Sequence, residues 1–152
     1  MLVRSAEDSF RRAREALAEG QGRMALALFE AAIKIERQFR GKRQARYLSY
    51  YGLCLAMEAD RMAEGIQLCR EAVTLESYNP DLHLNLGRVL LRGGRRREAH
   101  AALNRGLELE PANPEIRKLL HGMGTRRAPV LPFLPRDNVL NVLLGRVRAR
   151  TG

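Results

Sequence analysis

Two thiols and three imidazoles, Cys54, Cys69, His83, His100 and His121, are the groups best suited to metal or nucleophilic chemistry in this sequence. Their spacing argues against both uses. A tetrahedral metal site draws several ligands together at short spacing. Here the cysteines are 15 residues apart, and no histidine pairs with them or with another histidine. Both thiols stand in apolar stretches and read as small buried hydrophobes. No glycine-rich phosphate loop follows a strand, no Ser/His/Asp or Cys/His set can be motivated, and no paired carboxylates share a pocket-like context. The expectation is a chain with no catalytic residues, no metal and no cofactor.

Arginine offers the remaining chemistry, because its planar fork binds carboxylates and phosphates bidentately. The net charge of +10 invites an anionic partner. The excess is uneven. Residues 1–120 hold 21 Lys or Arg against 16 acids and residues 121–152 hold 6 against 1, so each part carries a surplus of five. In the first part most arginines alternate with Glu, as in Arg11-Arg12-Ala13-Arg14-Glu15, which a solvated helix face explains without a ligand. The run Arg92, Arg95, Arg96 and Arg97, with the basic tail, supports nucleic-acid binding as an alternative, but no nucleic-acid motif accompanies it. No apolar run approaches the ~18 residues that span a bilayer, so an integral membrane protein is not expected. The first residues lack an apolar secretion segment, and the default location is cytoplasmic.

The elements that must position these groups are helical. Only 5 % of residues are aromatic, Trp is absent, and the dominant Ala, Leu, Arg and Glu lose little side-chain entropy in a helix. An internal period then organises the chain. In Asp81–Arg92, Leu82, Leu86, Val89 and Leu90 recur at helical steps, and Gly87 lies within that stripe. A mid-helix glycine costs about 1 kcal/mol, so its reason should be close approach of the next helix. Gly93-Gly94 ends the helix, a second runs over 96–110 with Ala99, Ala102, Leu103 and Gly106 inward, and Pro111 ends that. Gly52, Gly65 and Ala72 repeat the pattern one copy earlier, with an extra residue expected in the turn around Glu58–Arg61 and Ser77 where Pro111 stands later. Ala13, Ala25, Phe29 and Ala32, with the turn Gly20-Gln21-Gly22, form a third copy whose six surplus residues fall in Arg37–Arg46.

Leu86-Gly87, Gly93-Gly94, Ala99, Leu103, Gly106 and Pro111 closely resemble a tetratricopeptide repeat. The resemblance covers residues 6–122 and implies an all-α, right-handed superhelix of three helix-turn-helix repeats. Their expected bounds are about 6–39, 45–79 and 80–113, with a capping helix over 114–122 that covers the last apolar face. It also implies a concave groove, lined by the first helix of each pair, that binds a peptide or helix of a partner protein. Positions on those helices facing away from the small-residue stripe are Arg11, Arg14 and Phe10, then Ser49, Tyr50 and Leu53, then Leu84, Asn85, Arg88 and Arg92. Arg, Asn and Tyr together suit an acidic peptide or a terminal carboxylate. The solvated-ridge reading of Arg88 and Arg92 stands beside it. Some family members hold a terminal carboxylate with Lys, Asn and Arg. Asn85 and Arg14 fall near such places, but the lysines are not reproduced.

Residues 123–136 leave the repeat, and three prolines between Pro129 and Pro135 favour extended chain. Val130, Leu131, Phe133 and Leu134 are too apolar for an indifferent linker. Over 137–152 a basic amphipathic helix is expected, with Val139, Leu140, Leu143, Leu144 and Val147 as its stripe. Packing on the repeats in cis or in a second copy ranks ahead of docking on a partner or an anionic membrane. The favoured function is a non-enzymatic protein-interaction module, scaffold-like or co-chaperone-like. The tail is its own candidate groove occupant or homo-oligomerisation element. The alternatives are nucleic-acid binding and a cytoplasmic secretion chaperone.

Overall fold

A computed structural model describes residues 5–38 and 44–124. These form seven helices and, among the described residues, no strand: α1 Ala6–Ala18, α2 Gly22–Gln38, α3 Ala45–Glu58, α4 Met62–Leu75, α5 Pro80–Arg92, α6 Arg96–Leu109 and α7 Pro114–Met123. Helices α1/α2, α3/α4 and α5/α6 make three pairs, and α7 packs on α6. The chain is a helical repeat superhelix, and the expectations for residues 125–152 lie outside the described residues.

Each helix start has a local cause. The Ser5 Oγ accepts the Asp8 N–H at 3.0 Å and caps α1. One residue before α5 and α7 stands an asparagine followed by proline at the first helical position. The Asn79 Oδ1 accepts from the Asp81 N–H at 3.1 Å, and the Asn113 Oδ1 accepts from Glu115 and Ile116 at 3.1 and 3.0 Å. Their amide nitrogens reach back to Glu76 and Glu110 at the ends of α4 and α6. Glu36 does similar work in the first copy, where its buried carboxylate accepts the Gln44 N–H at 2.8 Å before α3. The six-residue surplus therefore enters between Glu36 and the start of α3, in part as helix: α2 has 17 residues against 14 in α4 and in α6.

The turns correct one expectation. Residues 59–61 link α3 to α4 and residues 93–95 link α5 to α6, so both links have the same length. Their left-handed residues, Asp60 at φ 54 and Gly94 at φ 72, are one 34-residue period apart. No extra residue lies around Glu58–Arg61. The burial register agrees, since Leu48, Leu55 and Ala56 repeat as Leu82, Val89 and Leu90, all buried. Gly52 therefore stands at the place of Leu86, not of Gly87, and the two glycines serve different contacts. A Cβ on Gly87 would lie 2.5 Å from a Leu103 methyl, which accounts for glycine inside α5. A Cβ on Gly52 would lie 2.8 Å from the Gly65 carbonyl oxygen, so α3 and α4 meet there backbone to backbone.

The least regular copy has the most aromatic core. Phe10 of α1, Phe29 of α2, and Tyr47 and Tyr50 of α3 form a cluster with centroid separations of 4.7 to 5.6 Å. Such pairs add about 0.5–1.5 kcal/mol beyond area burial, which compensates for the poorer small-residue pattern there. At the other end Leu84, Leu103 and Ile116 close the last layer beneath α7. The Arg-rich turn joins that closure, because the Arg96 guanidinium donates to the Met123 carbonyl at 2.7 Å.

Candidate functional site

The stripe Tyr50, Leu53, Cys54 and Met57 runs along one side of α3 at steps of three, one and three, and Arg14, Leu17 and Ala18 repeat that spacing on α1. The two stripes line a cleft of about 450 Å³. Arg88 of α5 and Glu115 of α7 border it as well, and Glu58 contributes a second carboxylate. The floor is apolar through Leu17, Leu53 and Met57. Its charged groups are balanced, two guanidiniums against two carboxylates. A second depression of about 370 Å³ adjoins it, sharing Arg14 and Ala18 and bounded by Glu7, Phe10, Arg11 and Arg46.

Tyr50 lines the cleft with its ring fixed from two sides. Its ring stacks on Phe29 and meets Phe10 edge-on, contacts that leave it little rotational freedom. Arg14 lies over the same ring with its guanidinium carbon 5.3 Å from the centroid. Burial pushes the Tyr50 hydroxyl pKa up, Asp81 and Glu115 add to that, and Arg14 and Arg88 oppose it. Among the described residues Arg14 has no carboxylate within ion-pair distance, whereas Arg88 is paired with Glu115.

Of the expected groove residues, the structure brings Arg14, Tyr50, Leu53 and Arg88 together at this cleft. Arg11 borders the adjoining depression and bonds Glu15 along its own helix at 3.0 Å. Arg92 is exposed at the end of α5 and does not line the cleft. Five expected surface positions are buried: Phe10 at 3 % in the aromatic cluster, Leu53 at 5 % beneath the cleft, and three more away from it. Ser49 is 0 % and Asn85 1 % exposed, and the Asn85 Nδ2 donates to the Ser49 Oγ at 3.1 Å in the seam between α3 and α5. Leu84, 6 % exposed, packs into the last core layer with Leu103 and Ile116. Their polar or apolar character said little, because a helix inside a stack is covered on more than one side. Leu17, Met57 and Glu58 were missed, although the first two follow Arg14 and Leu53 at steps of three and four. Glu115 carried no comparable signal.

The two cysteines and His83 are held inside the fold. Burial pushes both cysteine thiols up to about 12, and the Cys69 Sγ donates to the Ser49 carbonyl at 3.4 Å. The His83 Nε2 lies 2.9 Å from the Ser77 carbonyl, at the position where the next copy has Pro111. Among the described residues no group of three or more His, Cys, Asp or Glu could hold a metal, and no helix is long and apolar enough to cross a membrane. In the Arg-rich turn, Arg95 bonds Glu98 at 2.6 Å and Glu98 also pairs with Arg70.

A tetratricopeptide repeat model matches residues 56–121, and a second tetratricopeptide repeat model matches residues 10–80. No curated protein sequence matches. Solved structures share the fold at low identity. The Arabidopsis OM64 TPR domain is 21 % identical with a TM-score of 0.64, over 78 % of this chain and 93 % of that one. The second TPR domain of human RPAP3, in complex with the HSP70 peptide SGPTIEEVD, is 17 % identical with a TM-score of 0.62, over 80 % and 96 %. PcrH in complex with the chaperone-binding region of PopB is 16 % identical with a TM-score of 0.59, over 82 % and 95 %.

Proposed function

The chain belongs to the tetratricopeptide repeat family, and from that premise we propose that its cleft captures an extended or helical segment of another protein. One observation carries the reading: an apolar floor of Leu17, Leu53 and Met57 lies beside Arg14, a guanidinium set on the rigid Tyr50 ring with no acidic partner among the described residues. Apolar side chains of a ligand fill the floor, and one carboxylate pairs with Arg14. The aromatic cluster fixes the site before the ligand arrives, which lowers the ordering cost of binding. Two fold neighbours in complex with peptide segments, the human RPAP3 domain and PcrH, support the same use of this architecture.

The apolar segment 130–134 of the chain offers similar chemistry, and the proposal extends to it as an occupant in cis or in a second copy. Nucleic-acid binding is less favoured, because Arg95 and Arg96 are already engaged with Glu98 and the Met123 carbonyl.

Selection of a random peptide library on the immobilised full chain tests the reading. Selected peptides should lose about tenfold or more in affinity when Arg14→Glu and Met57→Asp are introduced together. Arg92→Glu, outside the cleft, should leave them bound. Peptides that ignore the cleft substitutions would refute the proposal.

A further inference from the structure

We propose that Glu115 is a built-in competitor for Arg88 and thereby sets which ligands the cleft accepts, a proposal that rests on reading the cleft as a peptide groove. The cleft holds two guanidiniums in opposite states. Arg14 is without a carboxylate partner among the described residues, while Arg88, on the same cleft, is held by the Glu115 carboxylate. The Arg88 and Glu115 side chains are 34 % and 57 % exposed, so a carboxylate arriving from solvent reaches Arg88 without any helix moving.

Glu115 is placed there by its own helix. Asn113 caps α7, Pro114 starts it, and Glu115 follows in the first turn, where the exposed N–H groups favour a negative charge. Its carboxylate stands where a ligand carboxylate would bind Arg88. An incoming acidic group gains Arg14 outright. It gains Arg88 only by displacing Glu115, and exchanging one exposed carboxylate for another changes the energy little. With Glu58 also on the cleft, the lining is neutral in sum. The native groove therefore accepts one acidic group at Arg14 and is indifferent to a second at Arg88. Removing the Glu115 charge makes the second acidic group favourable.

Parallel selections of one random peptide library on the full chain and on its Glu115→Gln variant test this. The variant pool should be richer in Asp and Glu. Peptides with two acidic residues should bind the variant about three- to fivefold more tightly than the parent. Copies with one acid changed to the amide should show no such gain, and adding Arg88→Gln should abolish it. A pair that only pins α7 would lower the thermal midpoint of Glu115→Gln without changing the acid preference of the pool. Equal acid content in the two pools, with unchanged affinities, would overturn the proposal and leave the groove reading intact. Binding insensitive to Arg14→Glu with Met57→Asp would overturn the groove reading, and this proposal with it.

Discussion

The Asn85 side chain of α5 donates to the Ser49 hydroxyl of α3 at 3.1 Å, with both residues at most 1 % exposed. Two polar groups that could have faced a ligand instead join consecutive repeats. Asn85→Ala removes the bond and strands the Ser49 hydroxyl in a dry seam, a loss of about 1–3 kcal/mol. Urea unfolding of the variant should show a drop in that range, with affinity for a cleft-binding peptide unchanged. A binding loss without a stability loss would return Asn85 to the groove.

The glycines predict an asymmetry. A Cβ at Gly65 would lie 2.5 Å from the Gly52 carbonyl oxygen, and backbone cannot yield without separating α3 from α4. At Gly87 the obstacle is the Leu103 side chain, which is fully buried but can shift without parting two helix backbones. Overpacking costs about 1–3 kcal/mol and the gain in helix propensity about 1 in return. Gly65→Ala should therefore be the more destabilising of the two by about 1 kcal/mol or more in denaturant titrations. Equal losses would mean that the α3–α4 approach is looser than described.

Stability should fall in alkali. Both thiols are held up to about 12 in the fold against an ordinary value near 9. Above pH 9 the unfolded chain sheds protons that the folded chain keeps, so unfolding is favoured by up to about 1.4 kcal/mol per pH unit per thiol. The loss is complete only near pH 12. Tyr47, also pushed up to about 12 by burial and its bond to Glu7, steepens the fall above pH 10. Denaturant midpoints between pH 8 and 11 should show this decline, and Cys54→Ala with Cys69→Ala should flatten it.

If the apolar tail segment competes for the cleft, changing Val130, Leu131, Phe133 and Leu134 to Ser in the full chain should tighten peptide binding about threefold or more. Fluorescence anisotropy with a selected peptide reads this directly. Unchanged affinity would remove the tail from the groove.

The last two copies were legible in the sequence because their punctuation is local. Gly93-Gly94, Pro111, and Asn79 and Asn113 before proline each act on a single turn of chain. What depended on other helices was not legible. The burial of Ser49 and Asn85 is a property of a pair 36 residues apart. Glu115 meets Arg88 across 27 residues of sequence, because α7 packs on α6, the partner helix of α5. The supposed extra residue near Asp60 arose from matching Gly52 to Gly87 by type, when burial aligns Gly52 with Leu86. Along the cleft, Tyr50 and Leu53 of the α3 stripe are legible in the sequence, whereas Met57, one turn further on, joins them only through the cleft itself.

The most direct test of the groove is the amide and methyl chemical-shift map of the isotope-labelled full chain titrated with a selected peptide. Shifts should concentrate on Arg14, Leu17, Tyr50, Leu53 and Met57, across α1 and α3. Shifts confined to Met24, Tyr78 or the Arg95–Arg97 turn, with the cleft silent, would contradict the groove reading.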